Sequence, residues 1–154
     1  MSEVVLIVTT VASGLVAGLF FAFSAAVMLA LAQVDDRAFV DTMQRVNRRI
    51  QNPVFGLVFL AALVGSLGVV LIEFTAADDP RPAVLAGAVL TVSSMVVTFA
   101  VNIPLNNRLD AAGPVDAIAD PSAVRRAFEP RWVRSNHVRT VLSTAGLALY
   151  CAGL

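Results

Sequence analysis

The side chains of this chain that could do chemistry fall at helical spacings. Asn102 and Asn106 lie one turn apart and so share a helix face. Trp132, Asn136, Arg139 and Ser143 follow at intervals of four, three and four, a continuous polar and aromatic stripe with His137 on its flank. Amide and guanidinium groups can donate hydrogen bonds to an oxyanion, and an indole offers a flat platform. His137 is the only histidine, the residue type best suited to proton transfer. Asn47 and Asn52 approach the same region from another segment. Each residue also has a structural reading. Trp132 suits an interfacial belt, Arg139 can reach toward lipid phosphate, and asparagines bridge helices for about 0.6 kcal/mol each. A lone histidine is commonly structural. What distinguishes the readings is whether these side chains meet at one depth.

The elements that must position them are apolar. Of 154 residues, 58% are hydrophobic and 14% charged, with a net charge of zero. A soluble domain runs nearer 45–50% and about 25%. A disordered or nucleic-acid-binding chain would be charge-rich. Four apolar runs predict membrane spans at approximately residues 4–32, 53–72, 83–105 and 132–154. The first holds no charge from Val4 to Ala32 and has no basic stretch before it, so it reads as a retained span and not a signal peptide. Asn52-Pro53 opens the second as cap and first helical residue. Pro80-Arg81-Pro82 precedes the third. The fourth is apolar from Val138, with its helix starting near Pro130. The expected fold is a single all-α domain, an integral membrane four-helix bundle.

Two connections carry predicted helices of their own. Phe39, Met43, Val46 and Ile50 make an apolar stripe, expected as an amphipathic helix lying in the membrane interface between spans 1 and 2. Asp120-Pro121 should open a short helix to Phe128, separated by Pro130 from the fourth span. Pro104 cannot donate an N–H and crowds the Ala100 carbonyl, so the third helix is expected to kink or end there, with an asparagine amide taking up the freed carbonyl. Gly14, Gly18 and Ala22, and Gly65 with Gly68, read as close helix packing within the bundle or as a homo-oligomer face.

Charge placement gives the orientation. All 11 basic residues are Arg, and ten lie in the first and third connections or at their borders; the second holds only Arg81. By the positive-inside rule those two loops are cytosolic in a multi-pass cell-membrane protein, with both termini on the other side. Ten Arg against seven acids give that side +3. Arg81 against Glu3, Glu73, Asp78 and Asp79 gives the other −3. At about 1.5 Å per residue, 20 residues cross a core of about 30 Å. Counting back from Leu154 and forward from Pro82 brings Ser135–Arg139 and Asn102–Asn106 to the same cytosolic layer, which Asn47 and Asn52 also reach. A cytosol-facing pocket for a small aromatic or lipid-like ligand is expected there.

Several chemistries drop out. One His and one Cys cannot build a bis-histidine haem or an ordinary zinc site within one chain. No carboxylate lies within a span, Glu73 standing at an outer end, so a diiron centre or carboxylate proton relay lacks ligands. No nucleotide-binding or hydrolase motif is present. No cofactor, metal or nucleic acid is expected.

Asn102-Ile103-Pro104-Leu105-Asn106-Asn107-Arg108-Leu109, followed by Trp132, Asn136 and Arg139 opening the last span, resembles the anthrone oxygenase family of small four-span membrane proteins. Gly-Leu-Phe-Phe-Ala-Phe-Ser at Gly18–Ser24 fits its first span, so the resemblance extends over essentially the whole chain. It implies oxidation of an anthrone to an anthraquinone by O₂ without a cofactor. His137 would then act as base, Asn102, Asn106, Asn136 and Arg139 as donors to the enolate oxygen, and Trp132, Asn47 and Asn52 as substrate contacts. The alternative class is non-catalytic: a small membrane subunit, or an accessory protein holding lipid, quinone or a partner helix in the same layer.

Overall fold

The computed structural model describes residues 2–75 and 79–154; Asp78, counted above with the outer charges, lies outside them. Long runs of Leu, Val and Ala leave the backbone no partner but itself in an apolar medium, and helices result. The first, α1 (Ser2–Ala22), passes through a π-helical turn (Phe23–Val27) into α2 (Met28–Leu31). Asp35 caps α3 (Asp36–Ile50) by accepting the Ala38 N–H at 3.0 Å. Asn52 does the same for α4 (Pro53–Thr75), accepting from Phe55 at 3.0 Å. α5 (Pro82–Val97) runs through a second π-turn (Thr98–Asn102) into α6 (Ile103–Ala111). Gly113 follows with φ +84°, the left-handed conformation that ends helices. A 3₁₀ turn (Val115–Ala117) then leads to α7 (Pro121–Ala152), capped by Asp120. The Ser122 hydroxyl, then the Ala123 N–H, hold the Asp120 carboxyl below its usual range. That cap is therefore in place above the ordinary aspartate pKa and is lost as pH falls through the lowered one. No strand occurs among the described residues.

Three of these rods are long and apolar enough to cross a membrane: Glu3–Leu31, Pro53–Thr75 and Pro82–Ala111. The second runs three residues past the expected Ile72. α7 is not among them, because Asn136, His137 and Arg139 interrupt its apolar half. α1 packs on α4 and α7, and α5 on α4 and α7, so each long helix has two long neighbours. The most extensive interface, α5 with α7, rests on two glycines the sequence spacing did not single out. A Cβ on Gly146 would lie 3.0 Å from the Gly87 carbonyl and 2.7 Å from Thr91 Oγ1. Gly14 faces Leu147 of α7 at ordinary contact distance, whereas Gly18 faces open space.

Three sequence expectations are corrected. The amphipathic α3 is present, but its buried Phe39, Val40 and Met43 pack with Leu105, Leu109, Phe128 and Trp132 instead of facing lipid. Pro130 does not divide the last helix. Phe128 and Trp132 on either side of it enter the same apolar cluster, which holds α7 as one helix of 32 residues. Of the kink or end expected at Pro104, the end does not occur, and the third rod continues through it as α6. The Ile103 N–H bonds the Thr98 carbonyl five residues back, and this widened turn just before the ring relieves the crowding of a regular ladder.

Polar ties join the connections at each end. Arg125 donates to Glu129 (2.6 Å), Asp36 (3.1 Å) and the carbonyls of Leu31, Ala32 and Val34, while lying 4.5 Å over the Phe39 ring. It thus caps the end of the first rod from the start of the last. The Glu129 carboxylate first, then Asp36, raises the Arg125 pKa. At the other end Glu73, buried, accepts from the Arg81 N–H (2.7 Å) and guanidinium (2.5 Å), and Arg81 also donates to the Gly153 carbonyl (3.1 Å).

Gly146→Leu should therefore force α5 and α7 apart, lowering stability by about 1–3 kcal/mol as overpacked cores do. Gly18→Leu should be close to neutral. Unfolding of both variants in detergent micelles checks the contrast.

Candidate functional site

A cavity of about 400 Å³ opens at the level of the two π-turns, bounded by segments of α1, α3, α4, α6 and α7. That volume falls within the range of small-molecule sites, about 300–1,000 Å³. Its walls are mostly aromatic and aliphatic. Phe20 and Phe23 come from the first rod, Phe55 and Phe59 from α4, and Trp132 from α7. Phe23 and Trp132 rings meet at 5.4 Å, and Phe128 stacks behind Trp132 at 6.1 Å. π-turns recur at functional sites, since a widened turn projects side chains that a regular helix would bury in its own wall. Phe23 and the Thr98, Phe99, Asn102 group reach the cavity from these turns.

Two polar groups in this apolar wall are incompletely partnered. Asn102 is 1% exposed, yet neither its amide nitrogen nor its amide oxygen has a hydrogen-bond partner. Arg139 is 5% exposed and has no carboxylate within ion-pair distance among the described residues. Its guanidinium donates to Asn136 Oδ1 (2.6 Å) and Thr98 Oγ1 (3.3 Å) and lies 4.0 Å over the Phe20 ring and 5.5 Å over Trp132. Its Nε–H has no partner. Buried polar groups are otherwise almost always satisfied, and a buried cation calls for an anion. The arrangement can bind an apolar molecule carrying one anionic oxygen.

The remaining expected residues divide by position. Trp132, Asn106 and Asn47 line the cavity. Trp132 donates its indole N–H to Asn106 Oδ1 at 2.9 Å, and Asn47 donates to Asp110 of α6. Asn136 does not line it. Its amide NH₂ is spent on the Phe20 carbonyl (3.0 Å) and Ser24 Oγ (2.8 Å), so it positions Arg139 and ties α7 to the first π-turn. Asn52 is the α4 cap and is not part of the cavity. His137 is exposed outside it, with Nδ1 at 3.0 Å from Ser24 Oγ. The helix turn of about 100° per residue carries position 137 off the face that Asn136 buries.

Thr98 and Gln44 escaped the sequence reading, and Phe20 and Ser24 entered it only within the Gly18–Ser24 stretch, with no role assigned. Gln44, buried on α3, donates to the Leu109 and Gly113 carbonyls at 2.9 and 3.0 Å and so closes the end of α6. A polar residue inside an otherwise apolar stripe was its one available signal.

Residues 43–149 match the family whose description is anthrone oxygenase, well over half of the chain. The match takes in Asn47, Asn102, Trp132 and Arg139 but not the Gly18–Ser24 stretch, so the shared region is narrower than the whole chain. Neither a curated protein nor a solved structure matches.

Because the Asn102 amide bonds nothing, Asn102→Leu should leave stability unchanged or raise it. Asn136→Leu should cost about 1–3 kcal/mol for each polar group it orphans. Thermal unfolding of both variants, followed by circular dichroism, makes the comparison.

Proposed function

Since the chain belongs to the anthrone oxygenase family, we propose that it is a four-span membrane oxygenase acting on a flat, reduced phenolic ketone with O₂ and without a cofactor. The C-terminal half of α7 would be the fourth span, entered at Arg139, with the arginine-rich connections facing the cytosol. The observation that carries the reading is that Arg139 and the unpartnered Asn102 amide both stand in the wall of one aromatic cavity.

An anthrone carries a methylene group flanked by two aryl rings, with its carbonyl across the central ring. Loss of one methylene proton gives an enolate whose charge rests largely on that oxygen. Arg139 and the Asn102 NH₂ would hold this oxygen, acting only once charge develops and in a site that excludes most water. Trp132 and Phe23 would fix the ring plane. The enolate carbon then bonds to O₂ to give a hydroperoxide, and loss of water from it leaves a new carbonyl. One oxygen atom enters the product; the other leaves as water with the two methylene hydrogens. The substrate supplies the electrons, so no further reductant is needed.

Among the described residues no carboxylate or imidazole lines the cavity. His137 connects to Arg139 only through Ser24 and Asn136. In this reading Arg139 makes the methylene acidic enough for water at the polar mouth, beside Asn47 and Gln51, to take the proton. His137 is then dispensable.

Oxygen uptake by the protein in nanodiscs supplied with anthrone tests this. Arg139→Met should lower turnover by about 10²–10³, the cost of losing an oxyanion donor, and His137→Gln should stay near wild type. Full turnover in Arg139→Met would overturn the proposal. Anthrone binding without oxygen uptake would favour the accessory, ligand-holding role.

A further inference from the structure

Some residues that line the cavity are also exposed on the outer surface, and their position bears on where the ligand comes from. α4 buries Ala62, Ser66, Val69 and Glu73, but nothing in its first nine residues. Phe55, Gly56 and Phe59 in that stretch nevertheless line the cavity. Opposite them Phe99 and Ile103 also line it while remaining 51% and 37% exposed. All five belong to helices long and apolar enough to cross a membrane, so in a bilayer a surface exposed here would face lipid. The same side chains would then bound the cavity on the inside and meet the bilayer on the outside.

Among the described residues no side-chain hydrogen bond joins positions 53–65 of α4 to another element. Across this line the edge-on pair Phe59 and Phe99 meets with ring centres 5.8 Å apart, beside apolar packing of Val58 and Phe59 on the core. Such apolar contacts can part without breaking a hydrogen bond. The arginine-rich end is built differently. There Gln44 binds two carbonyls at the end of α6 and Asn47 binds Asp110, so α3 is fastened across that side. Parting those elements would break hydrogen bonds; parting Phe59 from Phe99 would not.

We infer that the cavity is loaded sideways from the bilayer, between α4 and the second π-turn, by a membrane-dissolved aromatic molecule with one acidic hydroxyl or enolisable oxygen. This rests on the reading of the cavity as a ligand site and adds the route and the partitioning of the ligand. The polar end enters first and reaches Arg139 and Asn102, leaving the apolar edge at the window. O₂, itself apolar, can follow the same path.

Gly56 makes the route testable. A Cβ there would meet nothing within 4 Å, so a large side chain can fill the window without disturbing the fold. Trp132, the only tryptophan, lines the cavity and reports on it. In vesicles of phosphatidylcholine with brominated acyl chains, Trp132 fluorescence should be quenched, and Gly56→Phe should lose most of that quenching with unchanged circular dichroism. Gly18→Phe, also in open space but away from the cavity, should keep it. Added 4-nonylphenol, which partitions into the bilayer, should protect Trp132, and phenol-4-sulfonate, which does not, should fail to. Equal quenching in wild type and Gly56→Phe, or protection by the sulfonate alone, would overturn the lateral route. No turnover is measured, so loss of the oxygenase reading leaves these outcomes standing. An active oxygenase whose Trp132 ignores brominated lipid would refute the route and spare the activity.

Discussion

A guanidinium held away from water with no carboxylate beside it sets the terms for one end of this molecule. Removing such a charge from solvent costs several kcal/mol even after relaxation. The offset comes from three directions. Asn136 and Thr98 accept its protons, and the faces of Phe20 and Trp132 take up part of the remaining charge. Those partners sit on the first rod, the second π-turn and α7, so three elements must be in register for the charge to be tolerated. Asn136 in turn directs its own NH₂ to the Phe20 carbonyl and Ser24. The site and the helix arrangement are thus one hydrogen-bonded unit.

Both π-turns border this unit, and both open the structure. A regular helix would present an unbroken wall at each place. The first widened turn begins at Phe23, one turn past Phe20, whose carbonyl bonds to α7 instead of only to its own ladder. The second precedes Pro104 and presents Asn102 without letting its amide return to the backbone. Together they leave a space that close-packed helices would have filled.

Much of the architecture was legible in the residues. Hydropathy located three rods that can cross a membrane, and Asn52 and Asp120 announced the caps of α4 and α7 through residue type and the proline that follows. Counting residues along the helices grouped eight polar or aromatic side chains, of which Asn47, Asn102, Asn106, Trp132 and Arg139 line the cavity while Asn52, Asn136 and His137 do not. What periodicity could not supply is azimuth: it says which side chains share a face, not which face looks inward. Asn102 and Asn106 share one, yet the first has no partner and the second accepts from Trp132. His137 adjoins Asn136 in sequence and lands on the outside. The prolines misled for another reason. Their local cost is real, but apolar packing on both sides of Pro130 and a widened turn before Pro104 outweigh it. Arg125 and the Gly87–Gly146 crossing join residues far apart in the chain, and no local pattern encodes them.

The reach of Arg125 to the carbonyls of Leu31, Ala32 and Val34 has a consequence in time. A ribosome completes the first rod some ninety residues before it makes the arginine that closes it. Until then the end of that rod must lean on water or headgroups for its carbonyls. The nascent protein is therefore a set of apolar helices with one frayed end, and becomes a finished object only when the start of α7 folds back to seal it.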